Sequence, residues 1–132
     1  MLDFILLIDD DEATNFLHQI LAEEAGVSHR IITAMGGEEG IQAMKSELEK
    51  SAQPKGLVFL DINMPVTDGW AVVEAYEKIG QARFANICIT LISAADQPRD
   101  PERIHKYPLI AGFSPKPLTI ELIQQLAAGI PS

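Results

Sequence analysis

The sequence predicts a doubly wound α/β domain on a five-stranded parallel sheet. Continuous apolar runs such as FILLI (residues 4–8) and LVFL (residues 57–60) are too uniformly hydrophobic for strands with one wet face, and suit strands covered on both sides. Each run is followed by a segment whose apolar residues recur at helical spacing. The alternation repeats five times in 132 residues, leaving about 25 residues per unit, which is the room that short helices and short connections need.

Strands are expected at residues 4–8, 29–34, 57–60, 87–92 and 109–114. After Asp11, the residues Ala13, Leu17, Ile20, Leu21 and Glu24 mark one helical face, and Gly26 sits where that helix stops. A second helix over residues 38–50 carries Ile41, Met44, Lys45 and Leu48 at the same period. Asp68 is a natural N-cap for a third over residues 69–79, with Val72, Val73 and Tyr76 facing in and Gly80 closing it. The fourth unit is irregular. Its sequence SAADQPRDPERIHKYPL contains Pro98, Pro101 and Pro108, which permit only a short helix over residues 102–107 in a loop-rich region. Thr119 can cap a last helix that buries Leu122, Ile123 and Leu126.

Size and composition point to one domain spanning residues 1–132, with 47% hydrophobic residues arguing against disorder. The net charge of -9, without any cluster of Lys or Arg, excludes a protein that grips nucleic-acid phosphates. No apolar run approaches the roughly 20 residues of a membrane span, and a cytoplasmic protein is expected. Cys88, the single cysteine, reads as a buried inert thiol. His18, His29 and His105 are scattered without the spacing of a zinc site, and read as surface or half-buried histidines.

The chemistry collects at strand ends. Asp9 and Asp10 close the first strand, Asp61 the third, Ser93 the fourth, and Lys116 follows the fifth in AGFSPK. In open α/β sheets ligands bind beyond the carboxyl ends of the strands, so these residues share one edge. Two ionised carboxylates about 4 Å apart repel by about 4 kcal/mol at an effective dielectric near 20, which calls for a cation. Mg²⁺ suits oxygen ligands beside a phosphate. Lys116 supplies a compact positive charge and Ser93 a hydroxyl for a phosphoryl oxygen, so Asp61 becomes a candidate nucleophile for an aspartyl phosphate.

With these residues in place, the chain resembles the receiver domains of two-component response regulators along essentially its whole length. The resemblance rests on Asp9 and Asp10, on Asp61 within LDINMPVTDG, on Ser93, and on Lys116 in the KP pair before Leu118. It implies the flavodoxin-like strand order 2-1-3-4-5. Asp61 would be the phosphoacceptor, with Lys116 and Ser93 assisting, and Asp9, Asp10, Asp61 and the backbone carbonyl of Asn63 would hold Mg²⁺. Ser93 and Phe113 would form the switch pair, with simple core packing an equal reading of Phe113. The implied partners are a histidine kinase or a histidine phosphotransfer protein and a downstream protein target. The expected role is a stand-alone signalling phosphoacceptor rather than a dedicated enzyme, with intrinsic autophosphorylation and autodephosphorylation. A haloacid-dehalogenase-like phosphatase shares the inventory, but it places a second aspartate two residues after the nucleophile, where this chain has Asn63.

Overall fold

The computed structural model describes residues 1–94 and 101–131. Among these residues, strands β1 (Leu2–Ile8), β2 (Ser28–Ala34), β3 (Gly56–Asp61), β4 (Ile87–Ser93) and β5 (Ile110–Pro115) form one sheet in the order β2-β1-β3-β4-β5. Every neighbouring pair is parallel. The helices are α1 (Glu12–Ala25), α2 (Gly37–Lys50), α3 (Gly69–Ile79), α4 (Pro101–His105) and α5 (Ile120–Ala128). A 3-10 turn at Gln81–Phe84 follows α3.

Alternation along the strands divides the core into two layers. Phe4, Leu6, Ile8, Val58, Leu60, Ile89 and Leu91 face Met44 and Leu48 of α2 and Val72, Val73 and Tyr76 of α3. Ile5, Leu7, Leu57 and Phe59 point the other way, toward Ala22 and Ala25 of α1 and Ile123 of α5. Both faces of the central strands β1, β3 and β4 are therefore dry, as their uninterrupted apolar runs require.

Local signals set the helix ends. Gly26 terminates α1 in the left-handed conformation, with φ 66°. The Asp68 carboxylate accepts from the Ala71 amide at 2.9 Å, and the Thr119 hydroxyl accepts from the Leu122 amide at 3.1 Å. The short α4 begins at Pro101, one residue before its expected start, and ends at His105. The rest of the expected loop-rich stretch, positions 95–100, lies outside the described residues.

The first helix presents a different face from the expected one. Asn15, His18, Ala22 and Ala25 are buried, while Leu17 and Ile20 are exposed together with Phe16. Two polar side chains with partners in the interior have overridden the apolar periodicity. His18 is accordingly a core residue rather than a surface or half-buried one, whereas His29 and His105 are exposed. On α2, Lys45 is likewise exposed and Glu47 is buried in its stead, paired with Arg30 and, at 2.9 Å, with Lys50.

Candidate functional site

Sheet topology decides which strand ends meet. β1 and β3 are adjacent, so Asp9, one residue past β1, lies beside Asp61, the last residue of β3. β4 flanks β3 on the other side and ends at Ser93, with Asp61 paired to Ile92. β5 lies beyond β4 and delivers Lys116 just past its end.

The side chains converge as the strand ends do. Carboxylate oxygens of Asp9, Asp10 and Asp61 lie within 4.8 Å of one another. Asp9 is 1% and Asp61 3% exposed, while Asp10 faces solvent. The Lys116 ammonium reaches Asp9 Oδ2 at 2.7 Å and Asp61 Oδ2 at 3.4 Å. Asp61 Oδ1 accepts from the Asn63 amide at 3.1 Å, which folds the start of the β3–α3 loop back over the carboxylate. Asp9 Oδ1 accepts from the Asp11 amide at 3.0 Å. Ser93 is buried, with its hydroxyl 3.4 Å from the Ala94 carbonyl. Phe113 is half-buried, pairs in register with Leu91, and packs against the core layer of α2 and α3.

Burial of two carboxylates, Asp9 and Asp61, around one ammonium has an electrostatic consequence. Desolvation and the charge of Asp9 push the Asp61 carboxyl up to about 6, against the opposing pull of Lys116 and of the Asn63 amide. Burial alone would lower the Lys116 ammonium, but its bond to Asp9 and the charges of Asp61 and Asp9 outweigh that and raise it. One lysine does not balance the cluster. The all-oxygen donor set, with negative charge in excess and Asp10 open to solvent, fits a hard divalent cation.

Two neighbours of this site escaped the sequence reading. Asn15 donates from Nδ2 to the Asp9 carbonyl at 2.9 Å and to the Ala34 carbonyl at 3.1 Å, tying the ends of β1 and β2 together. His18 accepts at Nε2 from the Leu118 amide at 3.2 Å. Burial pulls the His18 imidazole below its ordinary value, with the Asp9 charge opposing and the Lys116 charge adding. The only signal in the sequence was their spacing of three residues on one helix face, which polar residues on a solvated face share.

A parallel sheet with a strand-end carboxylate cluster, a lysine and a hydroxyl defines a class of acidic-pocket α/β domains. The chain belongs to the response regulator receiver domain family, whose sequence profile matches residues 5–128. Among solved structures, it is similar to a two component response regulator from Cytophaga hutchinsonii, with a TM-score of 0.83 and 25% identity over 96% of this chain and 95% of that one. The N-terminal domain of a response regulator receiver protein from Methanoculleus marisnigri JR1 superposes with a TM-score of 0.70 and is 29% identical, covering 96% and 94% of the two chains. A CheY-like receiver domain protein from Methanospirillum hungatei JF-1 gives a TM-score of 0.72 at 25% identity, with 95% and 90% covered. No curated protein matches the chain in sequence. Receiver domains take part in two-component signalling with kinase partners, and among the described residues no helix is long and apolar enough to cross a membrane.

Proposed function

We propose that this receiver domain accepts a phosphoryl group on Asp61 from a phosphohistidine of a histidine kinase or histidine phosphotransfer protein, and signals through protein contacts. The observation that carries this reading is the placement of Asp61, a buried carboxylate at a strand end with the Lys116 ammonium 3.4 Å away. An Asp61 oxygen attacks phosphorus, the P–N bond to the donor imidazole breaks with its electrons returning to the ring nitrogen, and an acyl phosphate remains on Asp61. Lys116 neutralises a phosphoryl oxygen as charge builds there, and the Ser93 hydroxyl donates to another. Asp9, Asp10 and Asp61, with the carbonyl of Asn63, would hold Mg²⁺, which keeps Asp61 ionised and screens the incoming phosphoryl oxygens. Hydrolysis of the acyl phosphate resets the domain. The cytoplasm is the compartment in which such donors act.

Incubation with Mg²⁺ and a small acyl phosphate, followed by intact-mass measurement, tests this reading. Wild type gains the mass of one phosphoryl group, and Asp61→Asn gains none. Labelling of Asp61→Asn at the wild-type rate would overturn the assignment.

A further inference from the structure

The segment that carries Lys116 has few means of holding its position. Pro117 has no amide hydrogen, so residues 116–118 offer two backbone donors. The Lys116 amide donates to the Ser93 carbonyl at 2.8 Å, which fixes the segment to the end of β4. The Leu118 amide is buried, and its acceptor is not a backbone group but Nε2 of His18, on α1 and one hundred residues earlier in the chain. The α1 carbonyls at this depth serve their own helix, so a link from α1 to this segment has to come from a side chain. Imidazole meets that need. It is rigid, it is 1% exposed, and as an acceptor at Nε2 it carries its proton on Nδ1.

Resting on the phosphoacceptor reading above, we infer that His18 is a positioning residue for phosphoryl transfer, acting through Leu118 to hold Lys116 at the mouth of the acidic pocket. Two anchors, Ser93 on one side and His18 on the other, suspend the lysine between β4 and α1. From there its ammonium reaches Asp9 and Asp61 together. With the His18 anchor lost, the segment is tethered on one side only, and the ammonium drifts relative to the oxygens it must neutralise. This accounts for a buried polar residue in the middle of α1, on a face other than the one the apolar pattern marks.

The test compares His18→Leu and His18→Met, which fill the space without a comparable acceptor, with His18→Gln, which restores one. Three readouts are taken on the whole chain: hydrogen exchange of the Leu118 amide, the Cε–Hε NMR signal of Lys116 at fixed pH, and the rate of phosphorylation by acetyl phosphate at saturating Mg²⁺. Leu and Met should expose the Leu118 amide, move the Lys116 signal toward that of surface lysines, and slow phosphorylation by about tenfold or more. Gln should restore all three toward wild type. Unchanged Leu118 protection and Lys116 signal in whichever of the Leu and Met variants folds would overturn the inference, as would a wild-type phosphorylation rate beside a disturbed Lys116. If wild type itself took up no phosphoryl group, the phosphoacceptor reading would fail instead, and the two NMR readouts would still decide whether His18 positions Lys116.

Discussion

Asp61 pairs a buried carboxylate with a second one, Asp9, for which Lys116 compensates only in part. In the metal-free protein the folded state holds the Asp61 proton up to about pH 6, whereas the unfolded chain releases it near 3.8. Between those values the folded state binds more protons, so stability falls as pH rises through the window. Asp61→Asn removes this slope and raises metal-free stability at pH 7 by up to about 3 kcal/mol, readable in denaturant melts from pH 4 to 7. His18 contributes the opposite slope, because its lowered imidazole costs stability as pH falls below 6.5, and that slope survives in Asp61→Asn. A melt series in which Asp61→Asn kept the full wild-type pH dependence would contradict the crowding. The same geometry separates adjacent aspartates. Asp10 belongs to the cluster, whereas the Asp11 carboxylate accepts from the Thr14 hydroxyl at 2.6 Å at the start of α1. Calorimetry should therefore show Asp10→Ala losing roughly tenfold or more in divalent affinity, with Asp11→Ala close to wild type. Asp9, Asp61, Ser93 and Lys116 were legible in the sequence because strand ends advertise their position. His18 and Asn15 were not, since burial of a polar helix residue depends on a distant backbone group that no local pattern announces.

Helices read well where a cap or a glycine marks the end, and poorly where packing chooses the face. Asp68, Gly26 and Thr119 stand where the chain predicts them, and Val72, Val73 and Tyr76 are all fully buried. The face of α1 was misread because Leu17 and Ile20 satisfy the helical period as well as Asn15 and His18 do. The loop between β3 and α3 shows how a boundary serves the site. Gly69 lies so close to Asp61 that a Cβ there would come within 2.7 Å of the Asp61 carbonyl oxygen and 2.8 Å of the Ile62 Cα. Gly69→Ala should therefore displace the backbone of Asp61, the proposed phosphoacceptor, slowing phosphorylation and destabilising the fold. Asp68→Ala removes the cap alone, and should cost about 1 kcal/mol in a thermal or denaturant melt while phosphorylation proceeds at nearly the wild-type rate. Equal loss of activity in both variants would show that the cap also shapes the site.

Across the whole molecule, the face formed by β4, β5, α3 and α4 is where occupation of the pocket is expected to be felt. Ser93 ends β4, and two residues earlier Leu91 pairs in register with Phe113 of β5. Phe113 packs on the layer that contains Trp70, and the Trp70 ring lies against that of Tyr107, just after α4, with centroids 5.8 Å apart and planes tilted by 30°, and with the Arg103 guanidinium 4.5 Å from the Trp70 ring centre. Tyr107 donates to Glu74 of α3 at 2.7 Å, so α3 and the α4 region are joined by ring contact and hydrogen bond. When Asp61 carries a phosphoryl group, Ser93 is expected to move toward the new oxygens and Phe113 to turn into the space it leaves. Phenylalanine has no hydroxyl to follow that hydrogen bond, so the change must pass through packing, as a shift between two arrangements of one core. The single tryptophan makes it observable. A phosphorylated or beryllofluoride-loaded sample should show altered Trp70 emission together with NMR shifts at Ser93, Phe113 and Tyr107, while Phe113→Ala should keep the Ser93 shift and lose the Trp70 response. Shifts confined to Asp9, Asp10, Asp11 and Asp61, with Trp70 and Phe113 unmoved, would mean that the signal leaves by another face. The exposed Phe16, Leu17 and Ile20 of α1 would then become the surface to examine first.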